Sequence, residues 1–270
     1  MCAKGQHQSP VNIEPKSLLF DPTLKDLKVN KARVGGNLLN TGQFLRFGVL
    51  SAAGGKSQPV IVEDGPLGFY RYSVSHLFFH VGAAEGQGSE HAVGGQKFPA
   101  EIQIIGYNSD LYNNASEATR MPHGIVALAI LVEMETSRKT ENPELKQLVA
   151  AATDVIYKGK QTNIQSISIA NLLPQTSHYV TYDGSLTFPG CYETVTWIIM
   201  NKPIYVSSKD MQILRDMQRT EQKESPTALL ADNFRPLKPI NNRVLRTNIN
   251  FKTKGSACPT MYKDMYYRCE

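Results

Sequence analysis

Short runs of apolar residues, several of them alternating with polar residues, recur along most of the chain and are separated by Gly, Pro and Asn. Runs of this length that are bounded by turn residues are typical of β-strands. The clearest runs cover residues 45–49, 72–81, 100–107, 125–134 and 194–200. A chain with so many short strands can bury their apolar faces only by pairing them, so the sequence predicts a strand-rich fold.

Helical periodicity is convincing in only two places, residues 143–157 and 208–219. In the second segment Ser208 is the predicted N-cap. The apolar residues that share one face of this helix are Met211, Leu214 and Met217. Both helices are predicted to be peripheral.

The chain has 270 residues, 41% of them hydrophobic, which is enough for a sizeable core. The longest apolar run, residues 125–132, is far shorter than the roughly 20 residues that a membrane-spanning helix needs. No repeat, low-complexity tract or linker divides the sequence. We therefore predict one α+β domain over residues 1–254, a tail over residues 255–270, and no membrane span.

The formal net charge of +5 is small for this length, and the basic residues are spread along the chain, so nucleic-acid binding is not indicated. Basic residues become denser toward the end, at Arg235, Lys238, Arg243, Arg246, Lys252 and Lys254. They could form a patch for an acidic partner or a sulfated glycan, or simply a solvated face.

The four cysteines, Cys2, Cys191, Cys258 and Cys269, have neither C-x-x-C spacing nor nearby histidines, which favours disulfides over a zinc site. The triplet Asn114-Ala115-Ser116 is an N-glycosylation sequon, so Asn114 is a candidate glycosylation site. These features indicate a secreted chain. Because the sequence enters the domain directly after Met1, we expect a preceding segment that includes the secretion signal.

Five segments carry a resemblance to a known family: residues 8–13 (QSPVNI), 88–91 (GSEH), 182–187 (YDGSLT), 193–197 (ETVTW) and 242–243 (NR). In order and spacing they resemble the alpha-carbonic-anhydrase family, from residue 2 to about residue 251, without the family's aromatic-rich N-terminal stretch. The resemblance implies a large central, mostly antiparallel twisted sheet with short peripheral helices. Residues 18–22 and 192–203 are most similar to the family's secreted, non-enzymatic members numbered ten and eleven.

Enzymes of this family hold zinc with three histidines, two at i and i+2 on one strand and one on the next strand. The zinc lowers the pKa of its bound water to about 7. The resemblance places Phe78, His80 and Gln103 at these three positions. A phenyl ring has no lone pair, and an amide offers only a neutral oxygen. We therefore expect no zinc and no other cofactor.

Other positions of the family site are partly kept. Gln43 stands where the fast enzymes have a proton-shuttling histidine, and it has no titratable proton. The resemblance implies that Glu90 accepts the hydroxyl proton of Thr187, as a buried pair. Phe188 and Gly190 replace a small polar residue and a proline, which should reshape the mouth of the pocket.

The resemblance also implies a polar network behind the former metal position, formed by Glu101, His91 and Tyr182, which can persist because it satisfies buried polar groups. His76 lies where the family has a glutamine that supports a metal ligand. The simpler interpretation is that His76 forms a hydrogen bond below the pocket. The alternative is a rearranged metal site formed by His76, His80 and Glu101.

The resemblance pairs Cys2 with Cys191, as in many extracellular members. Cys258 and Cys269 either pair with each other, or one of them forms an intermolecular disulfide. We predict a catalytically inactive, secreted protein-binding module whose partner is an extracellular or cell-surface protein, neurexin-like by resemblance. The alternatives are a working zinc-dependent enzyme that hydrates carbon dioxide and a matrix role of the basic C-terminal region.

Overall fold

The computed structural model describes residues 2–50, 58–137, 139–222 and 226–250. Their strands are β1 (Asn12–Ile13), β2 (Leu19–Phe20), β3 (Leu27–Val29), β4 (Arg33–Asn40), β5 (Leu45–Val49), β6 (Ile61–Asp64), β7 (Tyr72–Val81), β8 (Ala92–Val93), β9 (Ala100–Asn108), β10 (Ile125–Met134), β11 (Gln161–Ser168), β12 (Tyr179–Gly184), β13 (Val195–Met200), β14 (Ile204–Val206) and β15 (Arg246–Thr247). The helices are α1 (Ala115–Ala118), α2 (Pro143–Ala152), α3 (Ile169–Leu172) and α4 (Ser208–Arg215), with 3-10 turns at Pro15–Ser17 and Thr153–Val155.

Thirteen of the strands in the described residues form one sheet, whose main path runs β11-β4-β5-β7-β9-β10-β13-β12-β15-β2. Most neighbouring pairs are antiparallel, and the parallel exceptions are β10 with β13, β10 with β14 and β15 with β2. Strands β3 and β6 extend the sheet beside β7, whereas β1 and β8 form a separate parallel pair. The predicted fold class is confirmed.

The strand predictions agree closely with the structure. The runs 45–49, 72–81 and 125–134 coincide with β5, β7 and β10. Strand β9 ends one residue later than predicted, and β13 begins one residue later. Short apolar or alternating runs bounded by turn residues therefore carried most of the information about the sheet.

The helix predictions were too long. Helix α2 ends at Ala152 and continues only as the 3-10 turn, and α4 ends at Arg215. The predicted cap was wrong by one residue, because the hydroxyl of Ser207 accepts the hydrogen bond from the backbone N–H of Asp210 at 3.2 Å. Met217 lies beyond the end of α4, although it is buried. The short helices α1 and α3 were not predicted.

The sheet separates two hydrophobic clusters, one on each face. Alternate residues of β10 enter different clusters: Leu128 packs with helices α2 and α4 on the first face, and Ala129 packs with Trp197 on the second. Val11 and Ile13 of the N-terminal segment cover the second face. Because apolar side chains cover both faces, the interior positions of the sheet are shielded from water.

The N-terminal segment is tied to the rest of the domain by the predicted disulfide. Cys2 and Cys191 are bonded across a sequence separation of 189 residues, and their Cα atoms lie 5.1 Å apart. Cys258, Cys269 and the tail 255–270 lie outside the described residues, so their predictions stay untested. No helix in the described ranges is long and apolar enough to span a membrane.

Three of the C-terminal basic residues form hydrogen bonds or ion pairs with the N-terminal part of the chain. Arg235 donates to the carbonyl oxygen of Ser9 at 2.7 Å, and Arg243 donates to that of Gln8 at 2.8 Å. The guanidinium of Arg246 forms an ion pair of 2.9 Å with a side-chain oxygen of Asp21. These contacts support a structural role for the three arginines rather than a free basic patch. Lys252 and Lys254 lie outside the described residues.

Candidate functional site

The former metal position suggested by the sequence lies on strands β7 and β9, on the second face of the sheet. A bulge between Val74 and His76 sets the phase of β7, so that Phe78 points to the face opposite Leu77 and Phe79. In the register of the two strands, Phe78 stands opposite Gln103, and His80 stands opposite Glu101. The structure therefore brings the three predicted ligand positions together.

The amide group of Gln103 occupies the centre of the site. Its nitrogen Nε2 donates one hydrogen bond to Oε2 of Glu90 at 2.7 Å and another to Oε1 of Glu101 at 3.0 Å. Its oxygen Oε1 accepts a long bond from the hydroxyl of Thr187 at 3.4 Å. All four side chains are buried. One neutral amide thus uses both of its N–H groups on two carboxylates that water cannot reach.

The predicted pairing of Glu90 with Thr187 is wrong. In the described chain no hydrogen bond joins these two residues, because the amide of Gln103 lies between them. The second carboxylate oxygen of Glu90 accepts from the backbone N–H of Arg235 at 2.8 Å. Each oxygen of Glu90 therefore has a hydrogen-bond donor without the threonine.

His80 retains one free ring nitrogen. Its Nδ1 donates to the carbonyl oxygen of Asn233 at 3.0 Å and lies 3.5 Å from Oε1 of Glu90. Its Nε2 is buried and has no hydrogen-bond partner among the described residues. Such an unpaired acceptor is uncommon in a folded interior.

The polar network behind this position is present as predicted by resemblance. Glu101 accepts from the backbone N–H of His91 at 2.8 Å and contacts Nδ1 of the same ring at 2.9 Å. Nε2 of His91 bonds the hydroxyl of Tyr182 at 2.8 Å, and that hydroxyl donates to Ser9 at 2.9 Å. The chain of bonds connects the centre of the sheet to the N-terminal segment.

Burial and hydrogen bonding act in opposite directions on Glu101. Burial alone would raise the pKa of this carboxyl, but the charge and hydrogen bond of His91 and the amide of Gln103 outweigh burial and lower the pKa to about 2. Burial also raises the pKa of the Tyr182 hydroxyl. Glu101 is therefore ionised at neutral pH, and Tyr182 is neutral.

Aromatic rings fill the space in front of this network. The ring of Phe78 lies with its centroid 5.1 Å from that of Phe188 and 5.6 Å from that of Phe44. Phe44 also contacts His80 edge-on at 5.4 Å. His76 stacks on Phe78 at 6.1 Å. The side chain of Phe78 is thus held by packing in an aromatic cluster.

The remaining predicted site residues lie at the rim. Gln43 is exposed, and its backbone carbonyl accepts from the side chain of Asn233 at 3.2 Å. Gly190 has φ 108°, a conformation that favours glycine, and it precedes the disulfide-bonded Cys191. The loop that carries Phe188 is therefore anchored through Cys191 to the N-terminal segment.

The rearranged metal site of His76, His80 and Glu101 has no support in the structure. In residues 2–50, 58–137, 139–222 and 226–250, no group of three or more His, Cys, Asp or Glu is arranged to hold a metal. Phe78 lies between the two histidines on β7, and the oxygens of Glu101 are engaged by His91 and Gln103.

Comparison with known proteins identifies the family of this chain. A family model described as eukaryotic-type carbonic anhydrase matches residues 1–249. The chain belongs to this family. Carbonic anhydrase-like protein 2 of Caenorhabditis elegans is 44% identical over 276 residues, covering 99% of this chain and 80% of the relative. Carbonic anhydrase-like protein 1 of the same organism is 31% identical over 314 residues, covering 93% of this chain and 84% of the relative.

Zinc is the metal that membership of the carbonic anhydrase family implies, and the donors present do not fit it. Tetrahedral protein zinc needs three or four nitrogen, sulfur or carboxylate ligands. The Nε2 of His80 could serve as a metal ligand, but Phe78 has no ligand atom. The nitrogen of Gln103 has no lone pair to offer, because its two N–H groups donate hydrogen bonds to two carboxylates. We therefore derive no chemistry that passes through a metal at this position.

Several parts of the site could not be found by sequence reasoning. The backbone of Arg235 and the side chain of Asn233 come from a segment without regular structure, far along the chain from β7. Phe44 was not singled out, although it follows Gln43 directly. It lies two residues before Arg46, which stands opposite Phe78, so strand alternation could have placed Phe44 on the same face as Phe78.

The substitution Glu101→Gln tests the network. It removes a buried charge and leaves His91 without its full partner, so we expect the free energy of unfolding at neutral pH to fall by about 3 to 5 kcal/mol. The exposed Glu14→Gln is the matched control and should change little. Urea unfolding of the two variants measures the difference, and equal stabilities would contradict the role given to Glu101.

The same variant has a defined pH dependence. Because the pKa of Glu101 is lowered from 4.5, its ionised form adds stability above about pH 4.5, and this stability is lost as the pH falls toward about 2. Unfolding measured at neutral pH and at about pH 3 should therefore show a smaller loss on acidification in Glu101→Gln than in the unsubstituted protein.

Proposed function

We propose that this member of the carbonic anhydrase family is catalytically inactive and acts as a secreted protein-binding module. The observation that carries the proposal is the pairing of Phe78 with Gln103 across β7 and β9. Of the three positions that correspond to the family's zinc ligands, only His80 has a nitrogen that could bind zinc. Loss of a single outer-sphere partner typically costs 10 to 100-fold in metal affinity or activity, so loss of two ligands should abolish the site.

The amide of Gln103 also supports inactivity in a second way. In an active site the metal's positive charge would balance nearby carboxylates, whereas here the two N–H groups of Gln103 satisfy Glu90 and Glu101. Thr187 is directed to the amide oxygen rather than to Glu90. The names of the two nematode relatives, both carbonic anhydrase-like, support the same proposal.

Secretion is supported by the disulfide of Cys2 and Cys191, because such bonds persist in oxidising compartments. The sequon is accessible as well, since Asn114 is exposed and lies at the N-cap of helix α1. The partner is an extracellular or cell-surface protein, neurexin-like only by resemblance, which is an argument by analogy. Cys258 or Cys269 could link the protein to a partner by a disulfide.

Metal content and activity test the proposal together. Protein purified without chelators should contain far less than one equivalent of zinc and should hydrate carbon dioxide no faster than buffer. The double variant Phe78→His/Gln103→His should bind zinc, because it restores three nitrogen donors on a preserved backbone. The matched control Phe78→Leu/Gln103→Met changes the same positions without adding nitrogen and should not bind zinc.

Two results would overturn the proposal or limit it. Stoichiometric zinc with rapid hydration in the unsubstituted protein would show that the chain is a working zinc enzyme. Zinc binding by the leucine and methionine control would show that the metal binds elsewhere. The first outcome would overturn the proposed inactivity. The second would mean that zinc binding by the histidine variant is no evidence about positions 78 and 103.

Glycosylation of Asn114 tests secretion separately. The side-chain oxygen of Asn114 accepts from the backbone N–H of Glu117 at 2.9 Å, which caps α1, so replacing Asn114 would also disturb the helix. Ser116→Ala removes the sequon and keeps the cap. Expressed in a secreting eukaryotic cell, the unsubstituted protein should lose mass on enzymatic removal of N-glycans and Ser116→Ala should not. Absence of a mass change in both would contradict the prediction.

A further inference from the structure

Two acidic side chains, those of Glu141 and Asp210, meet between the N-terminal ends of helices α2 and α4. Glu141 directly precedes Asn142, the N-cap of α2, and Asp210 lies in the first turn of α4. Their carboxyl groups are joined by a hydrogen bond. Both acids are largely withdrawn from water, since the Glu141 side chain is 8% exposed and Asp210 is 9% exposed. Two carboxylates have no donor between them, so this contact requires a proton.

The carboxylate of Glu141 also connects the two helices directly. Its Oε1 accepts from the backbone N–H of Ser207, the N-cap of α4, at 3.2 Å. Its Oε2 accepts from Nζ of Lys146 on α2 at 3.0 Å. The hydroxyl of Ser207 in turn accepts from the backbone N–H of Asp210 at 3.2 Å. One acidic side chain therefore holds the first turns of both helices together, and the second acid completes the contact.

The charges around the pair neutralise only one of the two acids. The other titratable groups on the elements packed against the pair are Lys146 of α2, Lys209 of α4, Glu135 directly after β10, and Tyr205 of β14 with Lys139 over its ring. Lys146 forms an ion pair with Glu141, although the lysine side chain is 67% exposed. Within the described ranges, Asp210 takes part in no ion pair with a cation. The charge of an ionised Asp210 would therefore lack a bonded counter-charge.

The shared proton resides on Asp210. Burial, and then the hydrogen bond and the charge of Glu141, raise the pKa of the Asp210 carboxyl. Burial would also raise the pKa of Glu141, but the hydrogen bonds to this carboxyl, that of Asp210 foremost, outweigh burial and lower its pKa. An aspartate in the first turn of a helix normally has a lowered pKa, because the helix dipole favours its charge. The neighbouring acid therefore dominates over the helix dipole at this position.

We propose that Glu141 and Asp210 form a proton-dependent latch that joins α2 to α4 in mildly acidic solution and loosens as the pH rises. In the closed form, the protonated carboxyl of Asp210 donates a hydrogen bond to the carboxylate of Glu141. Loss of that proton leaves two carboxylates in contact, which repel each other and have no hydrogen to share. The inference uses no residue of the former metal position and stands whether or not the proposed function is correct.

The structure confines the opening to the N-terminal turn of α4. Met211 and Leu214 of this helix are buried in the first hydrophobic cluster, and their packing does not depend on charge. At the other end of the helix, Nε of Arg215 donates to the carbonyl oxygen of Gly82 at 3.1 Å. The latch therefore changes the local stability of one helix end without unfolding the domain.

The two pKa shifts make the contact strongest in mild acid. Because the pKa of Asp210 is raised above 3.8 in the folded chain, its protonated form adds stability that is lost as the pH rises through the raised pKa. Because the pKa of Glu141 is lowered below 4.5, its ionised form adds stability that is lost as the pH falls through the lowered pKa. The two groups titrate as a pair, and the latch is closed between the two steps.

Native-state hydrogen exchange of the unsubstituted protein tests the latch. Protection factors correct for the intrinsic pH dependence of exchange, and those of the Ser207 and Asp210 amides should fall by roughly fivefold or more between about pH 5 and about pH 9, because two like charges in contact repel even in water. Comparison with amides of β10, at the centre of the sheet, corrects for a change in global stability.

Three variants separate the pair from other titrations. Asp210→Asn keeps a donor toward Glu141 at every pH and cannot ionise, so the decrease in protection should disappear. Glu141→Gln leaves only one acid in the contact, so the decrease should disappear in this variant as well. The matched control is Asp216→Asn, the same substitution at the exposed C-cap of α4, and it should retain the decrease.

Carbon NMR of the side-chain carboxyl groups follows the proton itself. In the unsubstituted protein Asp210 should titrate above its ordinary pKa of 3.8, and Glu141→Gln should lower that midpoint. The inference is overturned if Asp210 titrates at its ordinary value or if Ser207 and Asp210 keep their protection up to about pH 9. An undiminished decrease in Asp210→Asn, or a decrease abolished in Asp216→Asn, would overturn it as well.

Discussion

The hydrogen bonds of one amide group, that of Gln103, determine how the centre of this domain is arranged. Two ionisable carboxylates, Glu90 and Glu101, are buried where water cannot solvate them, and each takes one N–H of the same amide. An unpaired buried carboxylate would be very unfavourable, and the amide adds one donor to each acid beside the backbone N–H of Arg235 for Glu90 and the contacts of His91 for Glu101. A carbonic anhydrase fold thereby persists around a centre that contains no set of metal ligands in its described residues.

The surrounding residues are consistent with that arrangement. Phe78 packs with Phe44 and Phe188 over the amide's side of the sheet, and the buried Nε2 of His80 has no partner in the described part of the chain. Aromatic packing adds stability without a metal, whereas an unpaired buried ring nitrogen on His80 adds none. The preserved network of Glu101, His91 and Tyr182 is therefore structural in this chain.

The sequence predicted the sheet well because strand periodicity and burial are local properties. Strand β7 was predicted residue for residue, and its alternation correctly placed Phe78 and His80 on one face. The N-cap was misplaced because two adjacent serines have the same cap propensity, and in the fold Ser207 caps the helix while its own backbone N–H donates to Glu141 at 3.2 Å. The pairing of Glu90 with Thr187 was wrong for a different reason: the orientation of the Gln103 amide depends on two carboxylates brought together only by the fold.

Side-chain NMR of Gln103 and His80 during a zinc titration tests the central claim most directly. The account predicts that both Nε2 protons of Gln103 exchange slowly with solvent, and that equimolar zinc leaves these protons and the ring nitrogens of His80 unchanged. A shift of the His80 Nε2 signal at equimolar zinc, together with faster solvent exchange of the Gln103 Nε2 protons, would contradict the account. It would mean that zinc binds His80 and breaks the hydrogen bonds of the amide.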